Sequence, residues 1–503
     1  MEDNFLNPNP VEVCLGKKAK DFTKKDIVRF VKENNVKIIN FNYVAGDGRM
    51  KTLSFVINGE QHLNELLERG ERVDGSSLFP YIDTESSDLY VIPKFSTIFL
   101  DPFNSIPTLH LMCSFFNKEG NPLEIAPENI VKKAHEKLKK NTGLSMKALT
   151  ELEYYVIFNE EDNELYPGSS QKNYHESAPF VKYEEMRNEI ISILSSIGAK
   201  IKYAHAEVGD ISENGNKRME QHEIEFLLES IEDMAYHTTI AKWVVRKVGE
   251  KHGVNITFTP KLEVGHAGSG MHVHMALFDE NNNNVLQGDN GLEEIGKKAI
   301  GGLIKHASSL TAFGNAVPVS YLRLVPNQEA PTNICWGDRN RSVLIRVPLN
   351  WGLAKDMSSK VNLNAGKDEV LHENRATIEL RSPDASANPY LLLAGMALAV
   401  ESGLKSEESL ELAEKNYVQV NIFKEENKSR KDELDCLPAS CFESADELEK
   451  DRVLYEEGNV FPETTISGTI NQLKKHDDKD LAKKALDNKK ELDAVIKIHM
   501  HCG

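Results

Sequence analysis

The chain has 503 residues, of which 40% are hydrophobic and 27% are charged, and its formal net charge is −18 at pH 7. A chain of this length can bury a large core and predicts roughly two to four domains. The acidic balance argues against a nucleic-acid partner, because binding to phosphates requires an excess of clustered lysine and arginine.

The N-terminal part of the chain predicts a small α+β domain that ends near residue 110. Its predicted helix places Ile27, Phe30 and Val31 on one side, and two short strands flank a glycine-containing turn. The predicted elements are a polar arm at residues 1–22, a helix at 24–35, and strands at 36–42 and 51–57.

The rest of the chain alternates irregularly between helices and strands, and it ends in mostly polar helix beyond about residue 404. A polar insert at 210–217 is predicted to lengthen the loop between two of the strands. This pattern favours an α+β fold built on a curved, largely antiparallel sheet with one polar, functional face. The predicted helices are 127–140, 183–196, 231–252, 292–313, 389–401, 443–455 and 480–498, and the strands are 148–158, 200–207, 220–228, 254–259, 342–347 and 377–381.

Several predicted strands carry acidic residues on one face, because side chains alternate along a strand. Glutamates that face each other across a sheet repel unless a cation lies between them. A solvated acidic face is the alternative for any single pair. The residues that share a face within a strand are Glu151 and Glu153; Tyr203, His205 and Glu207; Glu223 and Glu225; and Thr377, Glu379 and Arg381.

Two histidines follow a tight turn formed by Gly268, Ser269 and Gly270. His272 and His274 alternate with apolar residues, so they point to the same face of a strand. Hard divalent cations prefer oxygen ligands and tolerate an imidazole. The acidic face and these histidines together predict a site for Mg²⁺ or Mn²⁺, with more than one ion.

Arginines form a second group of candidate site residues. Arg323 lies in the segment 320–324. Arg339, Arg341 and Arg346 lie close together in the sequence, and Arg381 ends the predicted strand that contains Glu379. Guanidinium groups bind carboxylates and phosphates through two parallel hydrogen bonds. With metals, they suit phosphoryl transfer, although no P-loop sequence is present. Surface salt bridges are the alternative for each arginine alone.

These motifs, taken in order, resemble the glutamine synthetases of the bacterial and archaeal type. The resemblance runs from about residue 20 to residue 400 and rests on many short segments. It implies a β-grasp-like domain at 23–112, a catalytic domain at 113–503, and an ATP-dependent ligation of ammonia to glutamate. The segments are residues 73–78, 87–88, 101–103, 151–154, 268–274, 329–331, 340–342, 379–384 and 387–390.

The resemblance also implies a role for each matching residue. One metal ion is expected on Glu153, Glu207 and Glu223, and a second on Glu151, His272 and Glu379. The expected binding residues for glutamate are Gly268, Arg323, Glu329 and Arg381. Those expected for ATP are His274, Arg341 and Arg346, and Arg341 is also expected to act on the transferred phosphoryl group.

The reaction implied by the resemblance has two steps. ATP phosphorylates the glutamate side chain to give γ-glutamyl phosphate, and ammonia then displaces phosphate. Asp74 is expected to bind ammonium and take its proton, and Glu329 is expected to close over the site and exclude water. Asp74 would come from a neighbouring subunit, so we expect a homo-oligomer with shared active sites, typically a dodecamer of two stacked rings.

The sequence departs from the pattern of the family at several places near the substrate pockets. Ala267 stands where the family usually has asparagine, and Val319 and Leu322 stand where it has asparagine and lysine. Ala276 and Thr377 replace a common serine and arginine on the nucleotide side. Phe423 aligns with a tyrosine that is adenylylated in many bacterial members, which predicts that this control is absent.

Three functions therefore remain open at this stage. The first is glutamine synthesis, and the second is a γ-glutamyl ligase that uses another amine, such as a polyamine or an alkylamine. The third is a non-catalytic relative with a structural or regulatory role. The six apparent metal ligands argue against the third, and Asp74 with Glu329 favours ammonium. Without the resemblance, a two-metal phosphohydrolase would be the main rival.

The sequence also bears on the location of the protein. Its six cysteines are far apart and form no CxxC pair, which favours reduced thiols and a cytoplasmic location. The first residues are acidic and lack an apolar core, so we expect no signal peptide. The longest apolar run, at 390–400, is shorter than the roughly 20 residues of a membrane helix, so we expect no membrane partner.

Overall fold

The structure is a computed structural model, and it describes residues 6–79, 81–82, 87–159, 165–213, 217–288, 291–325, 330–350, 357–362, 375–481 and 489–503. Glu329 and the insert tip at 214–216 lie outside the described residues.

The N-terminal part forms a mixed sheet with helices on it. Strand β1 pairs with β2 in antiparallel register and with β6 in parallel register, and the strand order is β2-β1-β6-β4-β3 with β5 on β6. The strands are β1 (Ile38–Val44), β2 (Met50–Val56), β3 (Glu71–Asp74), β4 (Asp88–Pro93), β5 (Phe99–Leu100) and β6 (Thr108–Phe116). The helices are α1 (Pro10–Leu15), α2 (Lys24–Glu33) and α3 (Glu60–Arg69).

Most of the remaining strands form one large sheet in the order β15-β16-β17-β12-β7-β9-β8, with β10 and β11 also on β7. Its pairs are antiparallel except for β15 with β16, so the predicted α+β class with a largely antiparallel sheet is confirmed. The strands are β7 (Ser145–Asn159), β8 (Ile201–Glu213), β9 (Lys217–Phe226), β10 (Glu229–Ser230), β11 (Asn255–Thr257), β12 (Met271–Phe278), β13 (Gln287–Gly288), β14 (Gly291–Leu292), β15 (Trp336–Asp338), β16 (Ile345–Val347) and β17 (Ile378–Leu380).

Helices pack against this sheet and against each other. Helix α4 begins with Pro127, which costs no hydrogen bond because the first N–H groups of a helix have no intrahelical partner. The helix is terminated by Gly143 in the left-handed conformation (φ 74°). Helix α11 is buried along most of its length, as predicted. The helices are α4 (Pro127–Thr142), α5 (Glu184–Ile197), α6 (Ile231–Lys251), α7 (Glu294–Lys305), α8 (Ala307–Gly314), α9 (Ser320–Arg323), α10 (Ser358–Val361), α11 (Pro389–Lys405), α12 (Glu408–Lys415), α13 (Lys428–Asp432), α14 (Cys441–Glu456), α15 (Glu463–Lys474) and α16 (Lys489–His499).

Three predictions about local structure were wrong. The polar insert at 210–217 is largely strand, because β8 continues to Glu213 and β9 begins at Lys217. The predicted helix at 292–313 is two helices, since the backbone breaks at His306, whose imidazole binds Asp451 and Ser402. The predicted N-terminal arm contains helix α1, which buries Val11 and Leu15 in the core of the N-terminal sheet.

The C-terminal helix packs close to the region where the site is expected. Leu492 and Ile496 of α16 form a small apolar cluster with Val319, which precedes α9, and with Leu322, which lies in α9 next to Arg323. Two of the unusual residues of this segment therefore have a packing role. Within the described part of the chain, no helix has the length and apolar character required to cross a membrane.

Candidate active site

One face of the large sheet brings the predicted acidic residues and histidines together. The antiparallel register places Glu153 opposite Glu223, and Glu223 opposite His205. Two residues further along, Glu151 lies opposite His272 on one side and opposite Glu225 on the other. The side chains therefore form adjacent rows across β12, β7, β9 and β8, as strand alternation requires.

The first row brings Glu207 and Glu223, two of the three ligands predicted for one metal ion, together with His205, for which no metal role was predicted. His205, Glu207 and Glu223 offer ligand atoms within 4.8 Å of one another. Glu153 is fixed beside them, because its Oε2 accepts hydrogen bonds from Gly270 N (2.8 Å) and Gln221 Nε2 (2.9 Å). Such supporting hydrogen bonds orient a carboxylate that binds metal.

The second row is centred on Glu151, which lies between the two histidines. His272 Nδ1 is 2.9 Å from Glu151 Oε2, and His274 Nε2 is 3.0 Å from Oε1. Among the described residues, Glu151, His274 and Glu379 offer ligand atoms within 4.8 Å of one another, and so do Glu151, Glu223 and Glu225. The predicted ligand His272 belongs to neither group. His272 Nδ1 is also 3.7 Å from Glu379 Oε1, so both imidazoles reach this row.

Carboxylates on this face repel one another strongly because several of them are buried close together. Burial raises the pKa of Glu223 well above its usual range, and the charges of Glu151, Glu153, Glu207 and Glu225 raise it further. Burial has the same tendency at Glu151, but there the adjacent imidazoles prevail and hold the pKa well below its usual range. A divalent cation would relieve the repulsion around Glu223.

Guanidinium groups line the other flank of the face. Arg346 Nη1 is 2.9 Å and Arg381 Nη1 is 2.6 Å from the carboxylate of Glu379. Burial raises the pKa of Glu379, but the charges of Arg381, His274 and His272 outweigh it and hold this pKa below its usual value. Arg323 donates to Ser382 O (2.8 Å), and its guanidinium leaves no space for a side chain at Gly270.

The rows lie at the floor of a cavity of about 920 Å³. Its lining includes Arg341 and His274. The imidazole of His274 also contacts Thr377, with Nδ1 3.0 Å from Thr377 Oγ1. A narrower recess of about 40 Å³ adjoins it. The recess is lined by Glu153, Glu207, Gln221, Lys261, Gly268, His272, Arg323, Ala330 and Arg381.

Asp74 lies apart from these residues in the N-terminal sheet. Its carboxylate accepts hydrogen bonds from Ser76 N (2.9 Å), Ser76 Oγ (2.7 Å) and Ser77 Oγ (2.8 Å). These hydrogen bonds lower the pKa of Asp74, so its exposed side chain is ionised at neutral pH. Among the described residues that line the two cavities, Asp74 does not appear.

Several residues at the site received no role from the sequence. Lys202 Nζ is 2.5 Å from Glu225 Oε1 and lines the larger cavity, together with Gln171 and Tyr174. The alternation placed Glu225 on the correct face. The alternation did not predict Lys202 on this face, because the pairing of β8 with β9 shifts register between Ile201 and Tyr203. Gln171 carries no local signal, since its loop has no periodic pattern.

The sequence matches two family models. One is described as glutamine synthetase, beta-Grasp domain, and covers residues 35–118. The other is described as glutamine synthetase, catalytic domain, and covers residues 124–491. The α+β fold with a β-grasp N-terminal domain is thereby confirmed.

Similar proteins include relatives and solved structures. Glutamine synthetase of Pyrococcus abyssi is 34% identical over 395 residues, which cover 78% of this chain and 81% of the relative. That of Methanocaldococcus jannaschii is 30% identical over 440 residues, 85% of this chain and 89% of the relative.

Two solved structures show the same fold at low identity. A cryo-EM structure of Plasmodium falciparum glutamine synthetase has a TM-score of 0.73 and 22% identity, and the match covers 91% of this chain and 96% of that chain. A ligand-free structure of GmaS has a TM-score of 0.71 and 20% identity, over 90% of this chain and 95% of that chain.

Proposed function

We propose that this chain, which belongs to the glutamine synthetase family, joins ammonia to the side-chain carboxylate of glutamate at the sheet face described above, through γ-glutamyl phosphate. It is a glutamate–ammonia ligase, and its substrates are glutamate, ammonium and ATP. The observation that carries the assignment to this face is the strand register beneath one cavity, which places Glu151 opposite His272 and places Glu223 between Glu153 and His205.

The family uses ATP with divalent metal, and the donor set of the face fits hard divalent cations. We assign one Mg²⁺ or Mn²⁺ to Glu153, Glu207 and Glu223, and a second to Glu151, His272 and Glu379. The buried, mutually repelling carboxylates around Glu223 support this assignment. When bound, such ions neutralise phosphate charge and help to position ATP and glutamate.

The arginines supply the fixed positive charge that phosphoryl transfer needs. We assign Arg323 and Arg381, with Gly268, to the glutamate recess, because all three line it. Arg341 and Arg346 line the larger cavity and are assigned to the phosphates of ATP and to the transferred phosphoryl group. His274 is assigned to the nucleotide side, where its imidazole joins Glu151 to Thr377.

The acceptor side of the reaction requires residues from two subunits. We assign Asp74 to ammonium binding and to proton removal, and its ionised, exposed carboxylate supports this role. Asp74 is not among the described residues lining the two cavities of its own chain, so we assign it to the active site of a neighbouring subunit. Glu329 is assigned to closure over the acyl phosphate. The proposed assembly is a dodecamer with shared active sites.

The test is ATP-dependent phosphate release by purified protein with Mg²⁺ or Mn²⁺, with and without glutamate and ammonium, together with detection of glutamine. We expect release that requires both substrates and that an Asp74→Ala variant loses. Release with an alkylamine or a polyamine, but not with ammonium, would move the assignment to the other γ-glutamyl ligases. Absence of release with any acceptor would contradict both.

A further inference from the structure

A connection without regular secondary structure, residues 165–183, lies between β7 and α5 beside the larger cavity. Three of its non-glycine residues have left-handed backbone: Tyr166 (φ 62°), Gln171 (φ 56°) and His175 (φ 58°). This conformation is uncommon for residues with a side chain and costs free energy. The connection therefore depends on tertiary contacts to keep its shape.

The extended β8–β9 hairpin provides those contacts through a buried ion pair. Arg218 Nη2 is 2.7 Å from Asp210 Oδ2, and both side chains are at most 4% exposed. Asn173 donates to the same carboxylate oxygen (2.6 Å). Gly168 passes directly over the pair, where a Cβ atom would lie 1.7 Å from Arg218 Nη2. The β8–β9 hairpin thus holds the connection in place through Asp210 and Arg218.

Gln171 joins this hairpin to the glycine-rich loop at 265–270. Its Nε2 donates to Asp210 O (3.1 Å), and its Oε1 accepts from the buried Ala267 N–H (2.7 Å). The carboxamide therefore spans from the ion-paired hairpin to the loop that precedes β12.

Four peptide N–H or C=O groups of the glycine-rich loop are bound by four different side chains. Ala267 O accepts from Tyr155 Oη (2.7 Å), and Gly268 O accepts from Gln221 Nε2 (3.0 Å). Gly270 N donates to the carboxylate of Glu153 (2.8 Å). Gln171 completes this set at Ala267 N–H. Because Gly268 lines the recess assigned to glutamate, a shift of this loop changes the shape of that recess.

We propose that Gln171 is a positioning residue that sets the affinity for the amino-acid substrate by holding Ala267 and Gly268 in place. This inference rests on the proposed function for its link to glutamate. Ala267 has no carboxamide of its own, and the carboxamide that binds its N–H comes from the adjacent connection at 165–183.

The test compares Gln171→Met, which keeps the length but removes both hydrogen bonds, with Gln171→Glu, which keeps an acceptor for Ala267 N–H. We expect Gln171→Met to raise KM for glutamate about three- to tenfold, while kcat and KM for ATP change less than about twofold, as loss of one hydrogen bond at the recess implies. Hydrogen exchange of peptides covering residues 262–270 should become faster in Gln171→Met and stay slow in Gln171→Glu.

Ser170→Ala is the matched control, because Ser170 Oγ donates to the same Asp210 carbonyl (3.4 Å) but has no bond to Ala267. It should leave both KM for glutamate and exchange unchanged. Unchanged exchange in Gln171→Met, or faster exchange with an unchanged KM, overturns the inference. A wild-type protein that releases no phosphate would instead refute the proposed function, and the exchange comparison would still decide whether Gln171 holds the loop.

Discussion

Glu223 lies among four other carboxylates, and a metal ion at the proposed site would have to displace its proton. Burial and this negative surrounding raise its pKa well above the usual range. A metal ion binds the ionised form and must displace the proton, so affinity for Mn²⁺ should rise with pH, by up to about tenfold per unit for one proton. Calorimetric titration between pH 5.5 and 8, in buffers of different ionisation enthalpy, measures both affinity and proton release.

Glu223→Gln is the variant that tests this assignment. It removes the titrating proton, so metal binding should become weaker and less dependent on pH. A tight, pH-independent affinity in the wild-type protein would contradict the prediction. Glu136→Gln changes an exposed glutamate of α4 that is not among the lining residues of either cavity, and it should leave the titration unchanged.

At the scale of single residues, the sequence predicts those contacts that follow from strand periodicity. Alternation and the order of motifs brought Glu151, Glu153 and Glu223 to one face, where the structure has them. Alternation assigns Lys202 to the opposite face from Tyr203, but the shift in register beside it turns its ammonium towards Glu225. A bulge depends on both strands, so no single segment can reveal it.

At the scale of elements, the β8–β9 hairpin contains a buried carboxyl that should make stability depend on pH. Burial raises the pKa of Glu220 from 4.5 to about 7, aided by Asp210 and opposed by Arg218. Between these values the folded state binds more protons than the unfolded state. The free energy of unfolding should therefore fall as pH rises through the window, by on the order of 3 kcal/mol.

Glu220→Gln should remove most of this contribution while its amide oxygen still accepts from Lys182 N–H. Urea unfolding of the variant and the wild type at pH 5 and pH 8 gives the difference in free energy at each pH. We expect the variant to gain stability relative to wild type on going to pH 8. An equal pH dependence in both proteins would show that Glu220 keeps an ordinary pKa.

The contact between α7 and α11 is a second element whose sequence requirement can be tested. A Cβ atom at Gly302 would lie 2.2 Å from Ala399 O and 2.8 Å from Gly403 Cα. Gly302→Ala should therefore destabilise the protein by about 1–3 kcal/mol, as overpacked sites do. The free energy of unfolding in urea measures this change.

Gly314→Ala is the matched control for this contact. Its new methyl group would meet side-chain atoms at 3.4 Å or more, an ordinary van der Waals distance. Its effect should stay within about 0.5 kcal/mol. Comparable losses in the two variants would argue against a specific close contact between α7 and α11.

Helices α4 and α11 were predicted because capping and apolar spacing are local signals. The hairpin at 210–217 was mistaken for a loop because its charged residues look solvated in the sequence. Asp210 and Glu220 instead share the guanidinium of Arg218 inside the fold. Only the tertiary partners of a charged residue decide between these two environments.

At the scale of the whole molecule, the family and its fold were predictable because many motifs occur in one order. The relation of Asp74 to the sheet face was not derivable from the residues alone. Asp74 lies at the end of β3 in the N-terminal sheet and is exposed, while Glu223 lies under the cavity. A shared site assigns these two residues of one reaction to different subunits of the oligomer.

Mixed oligomers can test that assignment. Asp74→Ala and Glu223→Gln should each abolish glutamine formation alone, because each removes one of the two halves of every site. If the halves come from neighbouring subunits, co-expression in equal amounts should restore activity at about a quarter of the sites, since a random ring then joins two intact halves with that frequency. Phosphate release per subunit, after purification through different tags on the two variants, measures the recovery.

Glu151→Gln co-expressed with Glu223→Gln is the control for this experiment. Both changes fall in the same half of the site, so no arrangement of subunits can give any chain an intact face. Recovery in this control, or none in the Asp74→Ala mixture, would contradict a site shared between subunits.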